Sequence, residues 1–145
     1  MADADPVLSS LPPWVWDVPY AGASFPGGVP RSSWRHGANC QLFAYEVLAL
    51  HGWEIGDLRS DDLWADTHWT ERVPSAEPLD IVLLQKDLEP YGAHVGLVVG
   101  AERVLHLCKE VGRPIVWDWD QFTGRPRYSV TIGFKRPVRP LPFPR

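Results

Sequence analysis

Cys40, His94 and His106 are the residues whose types and order could carry covalent chemistry in this chain. Cys40 follows Asn39, a favoured helix N-cap, and opens a segment to His51 in which Cys40, Phe43, Val47 and Leu50 recur at helical spacing. A thiol at a helix start meets unpaired backbone N–H groups and the positive end of the helix dipole, which favour thiolate. The same N–H groups can hold an oxyanion. The alternative is a small buried apolar residue, the state of most free cysteines. His94 stands where the run HVGLVVG begins, at a strand mouth, and there an imidazole can serve as a base. A surface strand-edge histidine fits the same position. His106 interrupts the apolar run Val104 to Cys108, so a buried imidazole there needs a hydrogen-bond partner. That partner could be structural, or it could be the other imidazole of a catalytic pair. Alternation puts Val104, His106 and Cys108 on one strand face, and the hairpin register decides whether His94 shares it.

The elements that must position these groups read as helix first and strands afterwards, an α+β pattern. Residues 1–13 read as a loosely docked arm. Residues 14–136 read as one domain, and residues 137–145 as a Pro-rich tail or extended strap. Residues 14–39 are rich in Trp, Pro and Gly without a sustained period, and read as an ordered loop with one helical turn at Trp14 to Asp17. After the helix, Gly52 is a favoured stop. A second short helix is expected with Ser60 as its cap, running through Trp64. Strands are expected at Leu79 to Leu84, His94 to Gly100, Arg103 to Cys108, near Ile115, and at Tyr128 to Lys135. Gly100-Ala101-Glu102 suits a tight hairpin between two of them.

Composition narrows the function classes. The net charge of −4 and the scattered arginines argue against a nucleic-acid binder, which would show a basic patch. No apolar run is long enough to span a bilayer. Met1 to Pro13 lacks the basic and apolar regions of a secretory signal, so the expected compartment is the cytoplasm, with export by a specialised route left open. Two cysteines, Cys40 and Cys108, are few for a disulfide-stapled domain, although a bridge between them stays open. Cys108 reads as core, and His36, His51 and His68 as surface residues. The spacing of His, Cys and acidic residues fits no zinc template, so no metal and no cofactor is expected.

Over roughly Val18 to Lys135 the chain resembles the NlpC/P60 cysteine peptidases, a papain-like family. The resemblance rests on Pro19-Tyr20-Ala21-Gly22, Gly27-Gly28, Gly37-Ala38-Asn39-Cys40, Leu79-Asp80-Ile81-Val82, His94-Val95-Gly96 and, on the next strand, His106. It implies a nucleophile helix packed on an antiparallel sheet. It also implies Cys40 as nucleophile, His94 as base and then acid, His106 as the group that orients it, and Tyr20 as an aid to the oxyanion. The substrate it implies is an amide or isopeptide bond in a peptidoglycan stem peptide or muropeptide. Two departures bear on substrate. The family's Asp-Cys-Ser-Gly is Asn39-Cys40-Gln41-Leu42 here, and Leu79 replaces the Gly before Asp80. Asn39 and Gln41 beside the thiol, Trp34 in the aromatic loop and Trp117 in the run Trp117-Asp118-Trp119-Asp120 are the candidate substrate contacts. For that run, a capped turn packing its own Trp residues is the alternative. An acyltransferase, a deamidase or an inactive binding module would use the same scaffold.

Overall fold

The computed structural model describes residues 5–142. Helix α1 (Pro6–Ser9) and a 3-10 turn (Pro13–Asp17) lead to a second 3-10 segment (Arg31–His36) and the long helix α2 (Cys40–Leu50). Helix α3 (Ser60–Ala65) then precedes β1 (Thr70–Val73), β2 (Ile81–Gln85), β3 (His94–Val99), β4 (Arg103–Leu107) and β5 (Pro114–Asp118). Helix α4 (Trp119–Thr123), a 3-10 turn (Pro126–Tyr128) and β6 (Val130–Pro137) complete it. The six strands form one antiparallel sheet in the order β1-β6-β2-β3-β4-β5. This is the expected α+β architecture, with the Cys40 helix laid on the sheet. No helix among the described residues is long and apolar enough to cross a membrane.

Helix α2 is buried from Gln41 to Ala49, on every side. Burial all round fits a helix enclosed by other elements rather than one with a wet face, and its buried Glu46 is paired with Arg31 at 2.8 Å. One side meets β3 and β4, whose inward residues Val95, Leu97, Val99, Leu105 and Leu107 join the main core. The other side is covered by the N-terminal third of the chain through Val15, Val18 and Trp34. Asn39 caps the helix, its Oδ1 accepting from the Leu42 N–H at 2.9 Å. Gly52 ends it at φ +89°, where a side chain would be strained.

The opposite face of the sheet carries a second core of Val82, Leu84, Val98, Val104, Cys108 and Trp117, closed by Phe122 of α4 and by Tyr128. The β3–β4 register, Val98 with Val104 and Leu97 with Leu105, sends His94 and His106 to this face together. Gly96 lies between them, and a Cβ there would stand 2.5 Å from Val104 and 3.4 Å from His106. The missing side chain at Gly96 leaves room for Val104 and for the stem of His106. The hairpin turns at Ala101 and Glu102, both left-handed at φ +59° and +56° without being glycine.

Three expectations change. The described part of the N-terminal arm is docked. Val7 and Leu11 are buried in the main core, and Asp5 both caps α1 and accepts from the Gly100 N–H at 2.6 Å. Its apolar residues hold it more firmly than a loosely docked arm; residues 1–4 lie outside the described residues. Ser60 does not cap α3. Arg59 holds the cap position without a side-chain bond, and the Ser60 hydroxyl accepts instead from the Gly92 N–H at 3.0 Å. The strand β1, TERV, was missed because it is an edge strand with a mostly exposed, charged pattern, held through β6. Beyond β6 the chain runs extended, tied by Val138 N–H to Trp69 O and Leu141 N–H to Gly52 O; residues 143–145 of the expected tail are outside the described residues.

Candidate functional site

The Cys40 thiol, at the first residue of α2, reaches the mouth of β3. The backbone N–H groups of Val95, Gln41 and Cys40 point to its sulfur. It opens into a cleft of about 470 Å³ that also takes in His94, Tyr20, Asn39 and Gln41. The structure therefore gathers five of the expected site residues around one space, although no hydrogen bond joins the thiol to His94. Catalytic hydrogen bonds of this kind are often loose before substrate binds.

Behind His94 stands His106. His94 Nε2 and His106 Nδ1 are 2.9 Å apart. The far nitrogen of His106, Nε2, is buried with no hydrogen-bond partner. The His106 ring is packed by Trp117 at 4.3 Å and Phe122 at 4.7 Å between ring centroids. These surroundings choose the tautomer. An N–H turned into aromatic rings keeps a weak N–H···π attraction, whereas a bare nitrogen lone pair against the same rings gains nothing. Nε2 of His106 thus carries the proton, and Nδ1 accepts from the His94 Nε2–H. Nδ1 of His94 is left as the free lone pair, which is what a base for the thiol requires.

Both imidazoles are held neutral. Burial, reinforced by the Arg127 guanidinium, pushes His94 down to about 3. Burial, then the neighbouring His94 and Arg125, pushes His106 down to about 2. Burial also raises the Cys40 thiol, and the N–H groups and Arg59 offset this only in part. The helix-start thiolate expected from sequence is therefore overruled by desolvation, and the resting pair is thiol and neutral imidazole. Tyr20, raised mainly by burial and then by Cys40, keeps its hydroxyl proton and remains a donor.

This has a consequence for acid stability. The unfolded chain binds protons at these histidines near pH 6.5, whereas the folded chain does so only near 2 to 3. Their contribution is full above pH 6.5 and is lost as pH falls toward those folded values. Folding stability should decline below pH 6.5 by up to about 1.4 kcal/mol per pH unit for each histidine. Urea unfolding at pH 7 and pH 5 measures it, and His106→Phe should flatten the decline. An equally steep decline in His106→Phe would show that carboxylates, not this imidazole, set the acid limit.

Two expected substrate contacts lie elsewhere. Trp34 is 7% exposed and packs edge-on to Trp14 at 5.1 Å, roofing α2 instead of entering the Cys40 cleft. Its loop covers the side of α2 that faces away from the sheet. Trp117 is 2% exposed and supports the His106 ring from behind, with Arg125 stacked over it at 4.1 Å. It belongs to β5, and the run that follows is the capped turn: Asp118 and Gln121 form a capping box on α4. Asn39 and Gln41 do line the cleft. Gln41 Oε1 also accepts from Arg59 Nε at 3.2 Å, which carries Arg59 to the thiol's side while its guanidinium stacks over Phe25 at 4.1 Å.

Sequence reasoning missed Arg59, Lys109, Tyr91, Arg127 and Tyr128, all of which line the cleft. Tyr128 lies 4.8 Å from the His94 ring. Each is a single residue of its type outside any motif, and they come from separate connections: Arg59 before α3, Tyr91 between β2 and β3, Lys109 after β4, and Arg127 and Tyr128 after α4.

No protein-family model and no curated protein matches the chain. Solved structures do. An NlpC/P60 family protein from Bacillus cereus ATCC 10987 superposes with a TM-score of 0.58 at 14% identity, covering 85% of this chain. The chain spans 36% of that protein's length. The NlpC/p60 domain of the peptidoglycan hydrolase SagA superposes with a TM-score of 0.55 at 17% identity, covering 86% of this chain and 90% of that one. The chain has a divergent form of the NlpC/P60 fold.

Proposed function

We propose that the protein is a cysteine hydrolase that cleaves an amide or isopeptide bond in a peptidoglycan stem peptide or related muropeptide. The observation that carries this reading is the His94–His106 pair, 2.9 Å apart, on the cleft that Cys40 shares. The likeness to an NlpC/P60 domain of a peptidoglycan hydrolase supports the substrate class.

The geometry suits acyl transfer through sulfur. The Cys40 sulfur attacks the scissile carbonyl carbon while its proton moves to His94 Nδ1. The carbonyl oxygen becomes an oxyanion, met by the Cys40 backbone N–H and the Tyr20 hydroxyl. The His94 imidazolium then protonates the leaving nitrogen, the C–N bond breaks, and an amine departs from a Cys40 thioester. A water molecule, deprotonated by His94, attacks that thioester and releases a carboxylic acid and the thiol. His106 accepts the His94 Nε2–H throughout and keeps the ring turned.

Incubation with a muropeptide library, with Cys40→Ala as control, tests this. A new amine and a new carboxylic acid in equal amount are expected from the wild type only. A new amide or ester in place of the acid would assign an acyltransferase. Unchanged muropeptides in every fraction would refute the peptidase reading and leave a binding module.

A further inference from the structure

We infer that Arg127 and Lys109 form a carboxylate-binding subsite on the leaving-group side of the cleft, so that the amine released carries a free carboxylate. The inference rests on the hydrolase reading above and names what its substrate must present.

The cleft lining carries both signs of charge. Its acids, Asp61 and Asp62, sit in the first turn of α3, next to Arg59 at the cap position. That turn is joined to the loop before β3 by the Ser60–Gly92 hydrogen bond. Lys109, Arg127 and Tyr128 join the lining from outside α3. Elsewhere the arginines that face acids are taken. Arg31 pairs with Glu46 and Asp57, Arg125 with Glu110, and Arg136 with Asp80 and Glu77. Glu110, which follows Lys109, is held by Arg125 Nε at 3.2 Å. Arg127 and Lys109 form no ion pair among the described residues. Most exposed cations are simply solvated. These two line the cleft that holds the thiol, as does Arg59, which is held on Gln41 and Phe25. Arg127 is set beside His94: its guanidinium carbon lies 5.8 Å from the Tyr128 ring centroid, itself 4.8 Å from that of His94.

The side of the cleft follows from the chemistry. The imidazole that takes the thiol proton must deliver it to the departing nitrogen, so what lies beside His94 faces the leaving group. Arg127 is the charged side chain whose field reaches His94, and it also reaches Tyr20 and Tyr128. A guanidinium offers a planar fork that matches a carboxylate, and Lys109 adds a mobile point charge. A substrate with a free carboxylate next to its leaving nitrogen would therefore sit with its carbonyl over Cys40 and its acid toward Arg127.

Two forms of one peptide test this: L-Ala-γ-D-Glu-L-Lys with a free C-terminal carboxylate, and the same tripeptide as its C-terminal carboxamide. Binding is read by calorimetry on Cys40→Ala, which cannot turn over, and cleavage is read on the wild type. The acid should bind roughly 10- to 100-fold tighter than the amide, the range of one charge-assisted contact. Arg127→Gln in the Cys40→Ala background should reduce that ratio to near unity, and Lys109→Gln should reduce it in part, with melting temperatures unchanged. Equal affinity for the two peptides, including none for either, overturns the subsite. So does an acid preference that survives in Arg127→Gln and Lys109→Gln together. An acid preference in binding without cleavage of either peptide upholds the subsite and sinks the hydrolase reading instead.

Discussion

Cys40→Ala is expected to abolish turnover, and His94→Ala to lower kcat/KM by roughly 10³- to 10⁴-fold, the upper range of a general base. The two effects should not add, because either change stops the same proton transfer. The pH profile is the sharper measurement. His94 is held down to about 3 by burial and by Arg127, while burial holds the Cys40 thiol above its usual value. Between those limits the free protein keeps one protonation state, thiol with neutral imidazole. Wild-type kcat/KM should therefore be flat from about pH 5 to pH 8. A tenfold rise per pH unit through pH 6 to 7 would mean that His94 titrates as an ordinary imidazole, and would contradict the desolvated pair. His106→Phe should lower kcat without changing KM, because the His94 Nε2–H loses its acceptor while the burial and the Arg127 charge that keep His94 neutral remain. His106→Gln, which can still accept from the His94 Nε2–H, should recover part of the loss. A uniform change in kcat and KM for both variants would mark His106 as a packing residue only.

How much of this was legible in the sequence depends on the range of the contact involved. The α2 start was legible because its signals are local: Asn39 as cap, apolar spacing after Cys40, Gly52 as stop. The β3–β4 hairpin was legible for the same reason. The union of His94 and His106 was legible only as a conditional, since it turns on a register set by Ala101 and Glu102 adopting left-handed backbone at a cost that neither residue type advertises. The thiol's state went wrong because burial is a tertiary property. The helix terminus favours thiolate, but burial of the sulfur disfavours its charged form, and here the second effect is the larger. Trp34 and Trp117 went wrong in a related way. The aromatic loop around Trp34 and the run that opens on Trp117 were expected to offer substrate contacts. An α2 buried on every side and an imidazole needing an apolar cage absorb these two. The place of Lys109 and Arg127 in the cleft was invisible because they come from different connections and reach one lining only in the fold.

The largest stability effect should come from Asp80, which sequence resemblance marked only as a motif position. Asp80 is 1% exposed, and both its oxygens face Arg136, Oδ1 to Nε at 2.8 Å and Oδ2 to a terminal nitrogen at 2.9 Å. Oδ2 also accepts from the Glu77 N–H at 2.7 Å. This fork pins the entry of β2 to the far end of β6, directly after Leu79, whose φ of +77° is strained for a branched side chain. The same two residues hold the end of β3, through Leu79 N–H to Val98 O and Val98 N–H to Asp80 O, both 2.8 Å. Asp80→Ala strips the guanidinium of its buried partner and leaves the Glu77 N–H without an acceptor. Losing one member of a buried pair costs about 3–5 kcal/mol. Arg136 is 32% exposed and keeps Glu77 at 2.7 Å, so the lower end, about 3 kcal/mol, is expected. For a domain of this size that is a fall in Tm of roughly 10 °C. Urea unfolding at pH 7 should show the midpoint shift with an unchanged m-value. The double variant Asp80→Ala with Arg136→Ala should cost less than the two single losses combined, because neither charge is then left facing an empty site. Additive losses, or a single loss below about 1 kcal/mol, would mean that the strand pairing itself holds this corner and that the ion pair only decorates it.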